Sequence, residues 1–452
     1  MAFRRSGVFA VFSRWCSLLL CFVAPLLCFL AAKVAFMVSE GNGQELTAGD
    51  YADVLWHGLT LDLSTSLYLF IVPFLLLLVS CWWKGRLLAV VWHIYAAAVS
   101  VLLGLCFVAD TSLYRFWQFK LDASCLDYLH QPTEAMASVT TGYLLLRLLW
   151  WVLASAAVYA VFRLLGRPFA RHLASTGQPS TWKRRMAGTL CWLACVPFII
   201  IGIRGGTGES TTNIGQVYFS QRQFLNHSAV NPMFSFLASI GKSGDYIIEY
   251  DFMSPSETCR LTAPLFDTRS IQPDTLLNSR RPDILLIVVE SCGGQFTWIG
   301  GRHDITPRLN RLADSAVCFD ACYANSWRTD KGLVSILSGY PAFPVTSLMK
   351  LPEKSRRLPS IARSLRNEGY ATAFFYGGDV NYSNMRSYII GTGYEEIVWQ
   401  ADFPLNQQHA AKWGVSDDLM FNTLLDSIRS EEHQARSGPR RPWMKTLLTL
   451  SS

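Results

Sequence analysis

Five long apolar runs in the first half constrain this chain more than any other feature. They lie at roughly Ser17–Val38, Leu61–Trp83, Leu87–Ala109, Tyr143–Leu165 and Gly188–Ile203. A hydrocarbon core about 30 Å thick is crossed by a helix of about 20 apolar residues, and most of the runs reach that length. The last is short and ends at Gly205-Gly206. Composition agrees with membrane spans: of 452 residues, 51% are hydrophobic and only 16% charged, too apolar for an ordinary soluble chain. The first run is long and lacks a small-residue cleavage site, so it is not read as a cleavable signal peptide.

Lys and Arg in the short loops set the expected orientation. Arg4, Arg5 and Arg14 precede or open the first run. The loop Ser39–Thr60 carries Glu40, Glu45, Asp50 and Asp53 and neither Lys nor Arg. Lys84-Gly85-Arg86 forms the next loop, Asp110–Gly142 is net acidic, and the stretch from Arg163 to Lys183–Arg185 is basic without Asp or Glu. This alternation places the N-terminus inside and everything after residue 206 outside the cytoplasm. The expected organisation is a five-helix transmembrane domain over 1–206, a connector on the outer membrane surface over 207–280, and a second domain over 281–452. Val230–Lys242 suits a short amphipathic helix, lying on the bilayer or packed on protein; the pattern leaves both open. Of twelve cysteines, the eight in or beside the apolar half read as small apolar residues. Cys259, Cys292, Cys318 and Cys322 lie where a disulfide is permitted, with no pairing legible. No Cys-x-x-Cys occurs, so a cysteine-built zinc site is not expected.

From Arg281 the pattern changes. Pro282–Ser291 ("PDILLIVVES") is a short Ile/Val/Leu run, as in a strand buried on both faces. Thr306–Ala316 has helical spacing with a Thr-Pro start. Val317–Ala324 reads as a strand, Thr329–Gly339 as a helix with a glycine stop, Leu358–Tyr370 as an amphipathic helix and Ala371–Gly378 as another buried strand. Strands alternating with helices predict an α/β domain with a largely parallel sheet. Sites in such sheets form at the carboxyl ends of the strands, where Glu290, Thr329 and Asp379 fall.

Glu290 is a hard oxygen donor suited to a divalent cation, or a surface carboxylate without a task. Thr329 opens a helix. As its N-cap the hydroxyl would accept an amide hydrogen bond, worth about 1 kcal/mol. The same place suits a nucleophile attacking phosphorus, because helix N-termini favour anionic oxygens and a metal-bound hydroxyl is acidified. Arg328 beside it can neutralise a phosphate. His227, His303, His409 and His433 form no His-x-x-His pair, and His303-Asp304 reads as a loop pair. The residues alone present no complete metal site.

In this order, "ILLIVVES", "TPRLNRLADSA", "RTDKGLVSILSGYP", "FFYGGDVNYSNM" and "WGVSDDLMFNTLL" resemble the lipoteichoic acid synthase family. These are membrane-anchored phosphotransferases with a sulfatase-like domain of the alkaline phosphatase superfamily. The resemblance covers nearly the whole chain and is strongest from Asp283 to Tyr394. It implies that Glu290 binds a divalent metal, most often manganese, and that Thr329 is the nucleophile and touches that metal. It gives Arg328, Tyr376, Asp379, Asn384 and Arg386 to substrate. It also implies a phosphothreonine intermediate, a phospholipid donor such as phosphatidylglycerol, and an envelope glycan or polymer as acceptor. Nucleic acid is not among the expected partners. The implied location is a bacterial inner membrane, multi-pass, with the catalytic domain outside. The chain stops at "TLLTLSS" (Thr446–Ser452), where the family continues to a substrate-binding histidine and an Asp-His pair of ligands. The expectation is therefore a domain incomplete at its C-terminus and inactive as written. Alternatives are a phosphoethanolamine transferase, a sulfuric ester hydrolase using Ser437-Gly438-Pro439-Arg440-Arg441, and a non-catalytic envelope lipid-binding protein.

Overall fold

The computed structural model describes residues 2–41, 43–123, 125–126, 140–175, 181–240, 253–266, 277–343, 346–437 and 440–450. The chain divides into two compact units, Met1–Ser243 and Gly244–Ser452.

The first unit is helical: α1 Ala2–Glu40, α2 Ala48–Ser80, α3 Arg86–Trp117, α4 Thr141–Ala174, α5 Trp182–Leu193 and α6 Val196–Arg204. Five stretches are long and apolar enough to cross a membrane: Ser13–Glu40, Ala48–Ser80, Arg86–Trp117, Thr141–Ala174 and Trp182–Arg204. All five begin before the apolar runs and four of them also end beyond, for local reasons. At the start of α2, Thr47 Oγ1 accepts the Asp50 N–H at 3.2 Å while the Asp50 carboxylate accepts the Thr47 N–H at 2.8 Å. This reciprocal cap turns most of the acidic loop into helix. α3 runs through Asp110 and stops at Gln118, whose φ is 57°. The fifth stretch breaks between α5 and α6 at Ala194-Cys195, next to Pro197, which has no N–H for the helical ladder. Trp92 forms the aromatic centre of the bundle, against Phe162 and Phe169.

Two short helices complete the unit, α7 Gln223–Ala229 and α8 Pro232–Ile240. α7 packs on α1 and α2, and α8 on α2 and α3. α8 is the helix expected within Val230–Lys242; it is packed on protein along one face and exposes Leu237 and Ile240 on another. Residues 241–242 of that expectation lie outside the described residues.

The second unit begins with α9 Pro255–Thr262 and is built on a parallel sheet of β1 Ile284–Val288, β2 Ala371–Tyr376, β3 Glu396–Trp399 and β4 Trp443–Leu448, in the order β1-β4-β2-β3. Helices α10 Pro307–Ala313, α11 Thr329–Ser338, α12 Pro352–Ser355, α13 Ile361–Asn367, α14 Met385–Thr392 and α15 Asp417–Ser437 connect and cover it. Phe374, Met444 and Leu448 pack on one face against Leu333, Tyr388 and Tyr394. Phe375 and Leu447 pack on the other against Met420 and Leu424 of α15. The architecture is thus the expected one, five long apolar helices followed by an α/β domain with a parallel sheet.

Two local expectations are corrected. β1 is not buried on both faces. It has one described neighbour, β4, and Leu285 and Ile287 are exposed while Ile284, Leu286 and Val288 pack against the core. Val317–Ala324 is not a strand. A turn at Asp320-Ala321 divides it, and Val317, Phe319 and Tyr323 are exposed. Apolar composition alone does not make a strand; the backbone needs a partner's N–H and C=O groups, and no described strand offers them there.

At the amino ends of the strands, Asp283 accepts from Arg440 Nη1 at 2.8 Å, Arg440 Nη2 at 2.5 Å and the Trp443 N–H at 3.1 Å. The Arg440 guanidinium holds the Asp283 carboxyl below the usual carboxylate range, assisted by the Trp443 amide. A depressed folded-state pKa stabilises above the ordinary carboxylate range, and that contribution is lost as pH falls through the folded value. Asp283→Asn is expected to cost about 1 kcal/mol at neutral pH, with the gap to wild type closing below about pH 4. Thermal unfolding against pH measures it.

Candidate active site

A parallel sheet gathers the carboxyl ends of its strands on one edge. Here β1 delivers Glu290, β4 delivers Thr449 and β2 delivers Tyr376 to Asp379. Ser291 follows Glu290 with φ at 55°, a left-handed turn uncommon for a residue with a side chain. The Glu290 N–H donates to Thr449 Oγ1 at 2.8 Å, and the Thr449 N–H donates to the Val288 carbonyl at 3.0 Å. The turn carrying Glu290 is therefore tied to the neighbouring strand.

α11 presents Thr329 to that carboxylate. Leu333, Val334 and Leu337 anchor the helix in the core, and Gly339, with φ at 62°, ends it in a conformation that favours glycine. Thr329 Oγ1 lies 3.0 Å from both Glu290 carboxylate oxygens. The N-cap position belongs to Arg328, which makes no side-chain cap. The Thr329 hydroxyl thus donates across the site to Glu290 instead of capping its own helix.

Two cations meet at the carboxylate next to Thr329 in the chain. Buried Asp330 lies 3.5 Å from Arg328 Nε and 3.7 Å from Lys350 Nζ, and its backbone carbonyl accepts from Ser347 Oγ at 3.0 Å. Asn384, buried with φ at 61°, donates from Nδ2 to the Lys350 carbonyl at 3.1 Å. Asn384 therefore supports the segment that carries Lys350. Tyr376 folds over Gly378, where a Cβ would come within 2.7 Å of the tyrosine hydroxyl. Asp379 Oδ1 accepts the Asn381 N–H at 2.9 Å. The Arg386 guanidinium lies 5.7 Å from the centre of the Trp399 ring. Burial lowers its pKa, opposed by the Asp402 and Asp379 carboxylates.

Of the residues singled out from sequence, Glu290 and Thr329 meet directly, and Arg328 joins them through Asp330. Asn384 reaches the same group through Lys350, while Tyr376, Asp379 and Arg386 cluster at the end of β2. Sequence reasoning missed Lys350, Asp330 and Thr449. Asp330 carried a local signal, a carboxylate in the first turn next to Thr329. Thr449 and Lys350 carried none, because strand register and chain folding bring them in. Asp304 pairs with Arg302 at 2.9 Å, which holds its carboxyl down to about 2. In Ser437-Gly438-Pro439-Arg440-Arg441, Gly438 and Pro439 lie outside the described residues. Arg440 sits with Asp283 at the amino ends of the strands, opposite Glu290.

Glu290 and Thr329 fit a hard divalent cation in kind, as carboxylate and hydroxyl oxygens. In number they fall short: among the described residues no group of three or more His, Cys, Asp and Glu side chains is placed to hold a metal.

The sulfatase family model matches residues 282–452. This stretch includes the sheet, Glu290 and Thr329. Residues 282–452 form a sulfatase-like domain. The chain is 23% identical over 158 residues to phosphoglycerol transferase I of Xanthomonas campestris pv. campestris, a match covering 33% of this chain and 22% of that protein. The match thus spans about a fifth of the curated relative's length. Among solved structures, an alkaline phosphatase superfamily protein from Vibrio parahaemolyticus superposes with a TM-score of 0.37 at 26% identity, over 45% of this chain and 50% of that one. The lipoteichoic acid synthase LtaP from Listeria monocytogenes gives 0.33 at 16% identity, over 38% and 40%. Long apolar helices ahead of a domain that matches the sulfatase family model agree with the organisation expected from sequence. Enzymes of the alkaline phosphatase and sulfatase superfamily use divalent metals.

Proposed function

We propose that this protein is a membrane-bound phosphotransferase that moves a glycerophosphate headgroup from phosphatidylglycerol to a hydroxyl of an envelope glycan or polymer. The observation that carries the reading is the Thr329 hydroxyl held 3.0 Å from the Glu290 carboxylate, at the mouth of a sulfatase-family sheet and beside Arg328 and Lys350. A hydroxyl hydrogen-bonded to a carboxylate is the arrangement of an activated nucleophile. Thr329 Oγ attacks the phosphorus of the lipid phosphodiester and its proton passes to Glu290. The bond from phosphorus to the diacylglycerol oxygen breaks, and that oxygen takes the proton from Glu290. The acceptor hydroxyl then attacks the phosphothreonine, its proton passes by way of Glu290 to Thr329 Oγ, and the bond from phosphorus to Oγ breaks. Arg328 and Lys350, held by Asp330, neutralise the phosphate oxygens. Tyr376, Asp379, Asn384 and Arg386 form or support the surface that meets the headgroup. Glu290 and Thr329 are the oxygens these segments offer to a divalent cation, manganese by the family resemblance, which would withdraw charge from the reacting oxygens.

The test is diacylglycerol release by the purified full-length protein with manganese and either phosphatidylglycerol or phosphatidylethanolamine. Release from phosphatidylglycerol alone supports the reading. Release from phosphatidylethanolamine alone moves the protein to the phosphoethanolamine transferases. Lys350→Ala is expected to weaken donor use about tenfold, mostly in KM; steady-state kinetics against lipid concentration reads this.

A further inference from the structure

Asp and Glu are absent from residues 1–39, 63–109 and 140–208. These stretches meet at one end of the helical unit, where the spans of α1, α3 and α5 begin and those of α2 and α4 end. Three basic groups gather there: Arg14 of α1, Lys84 between α2 and α3, and His172 near the end of α4. The Gly85 N–H donates to the Leu173 carbonyl at 3.1 Å, which ties the loop carrying Lys84 to the turn carrying His172. Burial, and after it the charge of Arg14, hold the Lys84 ammonium below its ordinary range. His172 lies within the field of both Arg14 and Lys84.

Like charges repel, so gathering them costs free energy unless an anion joins them. Among the described residues no carboxylate pairs with any of the three, and Nε2 of His172 is buried without a hydrogen-bond partner. The ends of α2 and α4 bring about half a negative charge each, which offsets the cations only in part. An excess of Lys and Arg on one side of a membrane orients a chain, but that rule requires neither cations gathered at one point nor a buried ring nitrogen left unpaired. Tryptophans mark the depth of the cluster. Trp15, Trp82 and Trp83, next to Arg14 and Lys84 in the chain, are exposed, as at the level where lipid headgroups meet acyl chains. Trp15 lies against Trp192 of α5 with ring centres 4.5 Å apart, and Trp82 Nε1 donates to Thr189 Oγ1 of α5 at 2.9 Å. α5 therefore braces the same corner.

We propose that Arg14, Lys84 and His172 form a binding site for the phosphate of an anionic phospholipid. The lipid supplies the missing anion: its phosphate oxygens accept from the guanidinium, the ammonium and the ring N–H, while its acyl chains lie along the apolar helix faces beside the tryptophans. Basic pockets between membrane helices recognise headgroups in this way. A zwitterionic lipid would bring an ammonium of its own against two cations and is the poorer ligand. A soluble phosphomonoester shares the headgroup chemistry but lacks the chains. The site belongs to the helical unit and does not rest on the reaction proposed for Thr329.

The experiment is native mass spectrometry of the full-length protein in detergent, titrated separately with phosphatidylglycerol, phosphatidylcholine and glycerol 3-phosphate. Arg14→Gln with Lys84→Gln removes the two cations. His172→Phe keeps a ring and removes its nitrogens, and reads the site should the first variant fail to fold. Arg184→Gln with Lys183→Gln, on the exposed start of α5, removes the same charge outside the cluster. Circular dichroism confirms that each is folded. Phosphatidylglycerol retention reduced about tenfold in the first variant and about fivefold in His172→Phe, with the α5 variant and phosphatidylcholine retention little changed, supports the site. Equal loss in the α5 variant assigns the effect to general surface charge and overturns the proposal. Unchanged phosphatidylglycerol retention in folded variants overturns it as well, and a loss confined to glycerol 3-phosphate replaces the lipid with a soluble ligand.

Discussion

Thr329→Ala is expected to lower headgroup transfer by about a thousandfold or more while leaving the protein folded. The size follows from losing the atom to which phosphorus would bond. The small structural cost follows from the position of that atom. The hydroxyl donates to Glu290 and does not cap α11, whose N-cap is Arg328, while the helix is held by Leu333, Val334 and Leu337. Thr329→Ser keeps a hydroxyl in the same place and should retain far more activity than the alanine variant. Glu290→Gln keeps the volume but loses the negative charge facing the Thr329 proton, and should fall nearly as far as Thr329→Ala. A diacylglycerol-release assay beside thermal unfolding separates chemistry from folding. A fully active Thr329→Ala protein would remove the threonine from the mechanism.

Phe374→Ala carries the largest expected effect on stability, a loss of about 3–5 kcal/mol. Phe374 lies in β2, between β4 and β3. It is fully buried and packs edge-on against Tyr394 with ring centres 5.4 Å apart. Its removal would leave a void among Leu333, Met444 and Tyr388, side chains fixed on three different elements and unable to collapse together. A domain's whole stability is about 5–15 kcal/mol, so the lost contribution is a large share of it. Chemical denaturation followed by tryptophan fluorescence measures it. A cost below about 1 kcal/mol would mean that β2 is not the centre of this core.

What sequence shows of this fold depends on how local the cause is. The apolar runs are visible because membrane-spanning length is a property of each segment. Their true ends are not, because caps such as the Thr47–Asp50 exchange and the left-handed Gln118 lie in polar stretches. β1 and Val317–Ala324 look alike as short apolar runs. Among the described residues only β1 has a neighbour to pair with, and that neighbour, β4, lies far along the chain. Glu290 and Thr329 were legible from residue type and place, one closing a strand and one opening a helix. Thr449 and Lys350 were not. Thr449 reaches Glu290 through the register of β4 on β1, and Lys350 reaches Asp330 through the folding of an irregular segment.

The most direct measurement is intact-mass analysis of the full-length protein, quenched during turnover with phosphatidylglycerol and manganese, with Thr329→Ala run in parallel. The expected result is a covalent adduct of glycerophosphate mass on wild type, mapped by peptide fragmentation to Thr329 and absent from the variant. An adduct that persists in Thr329→Ala, or no adduct in wild type that is folded and releasing diacylglycerol, would contradict it.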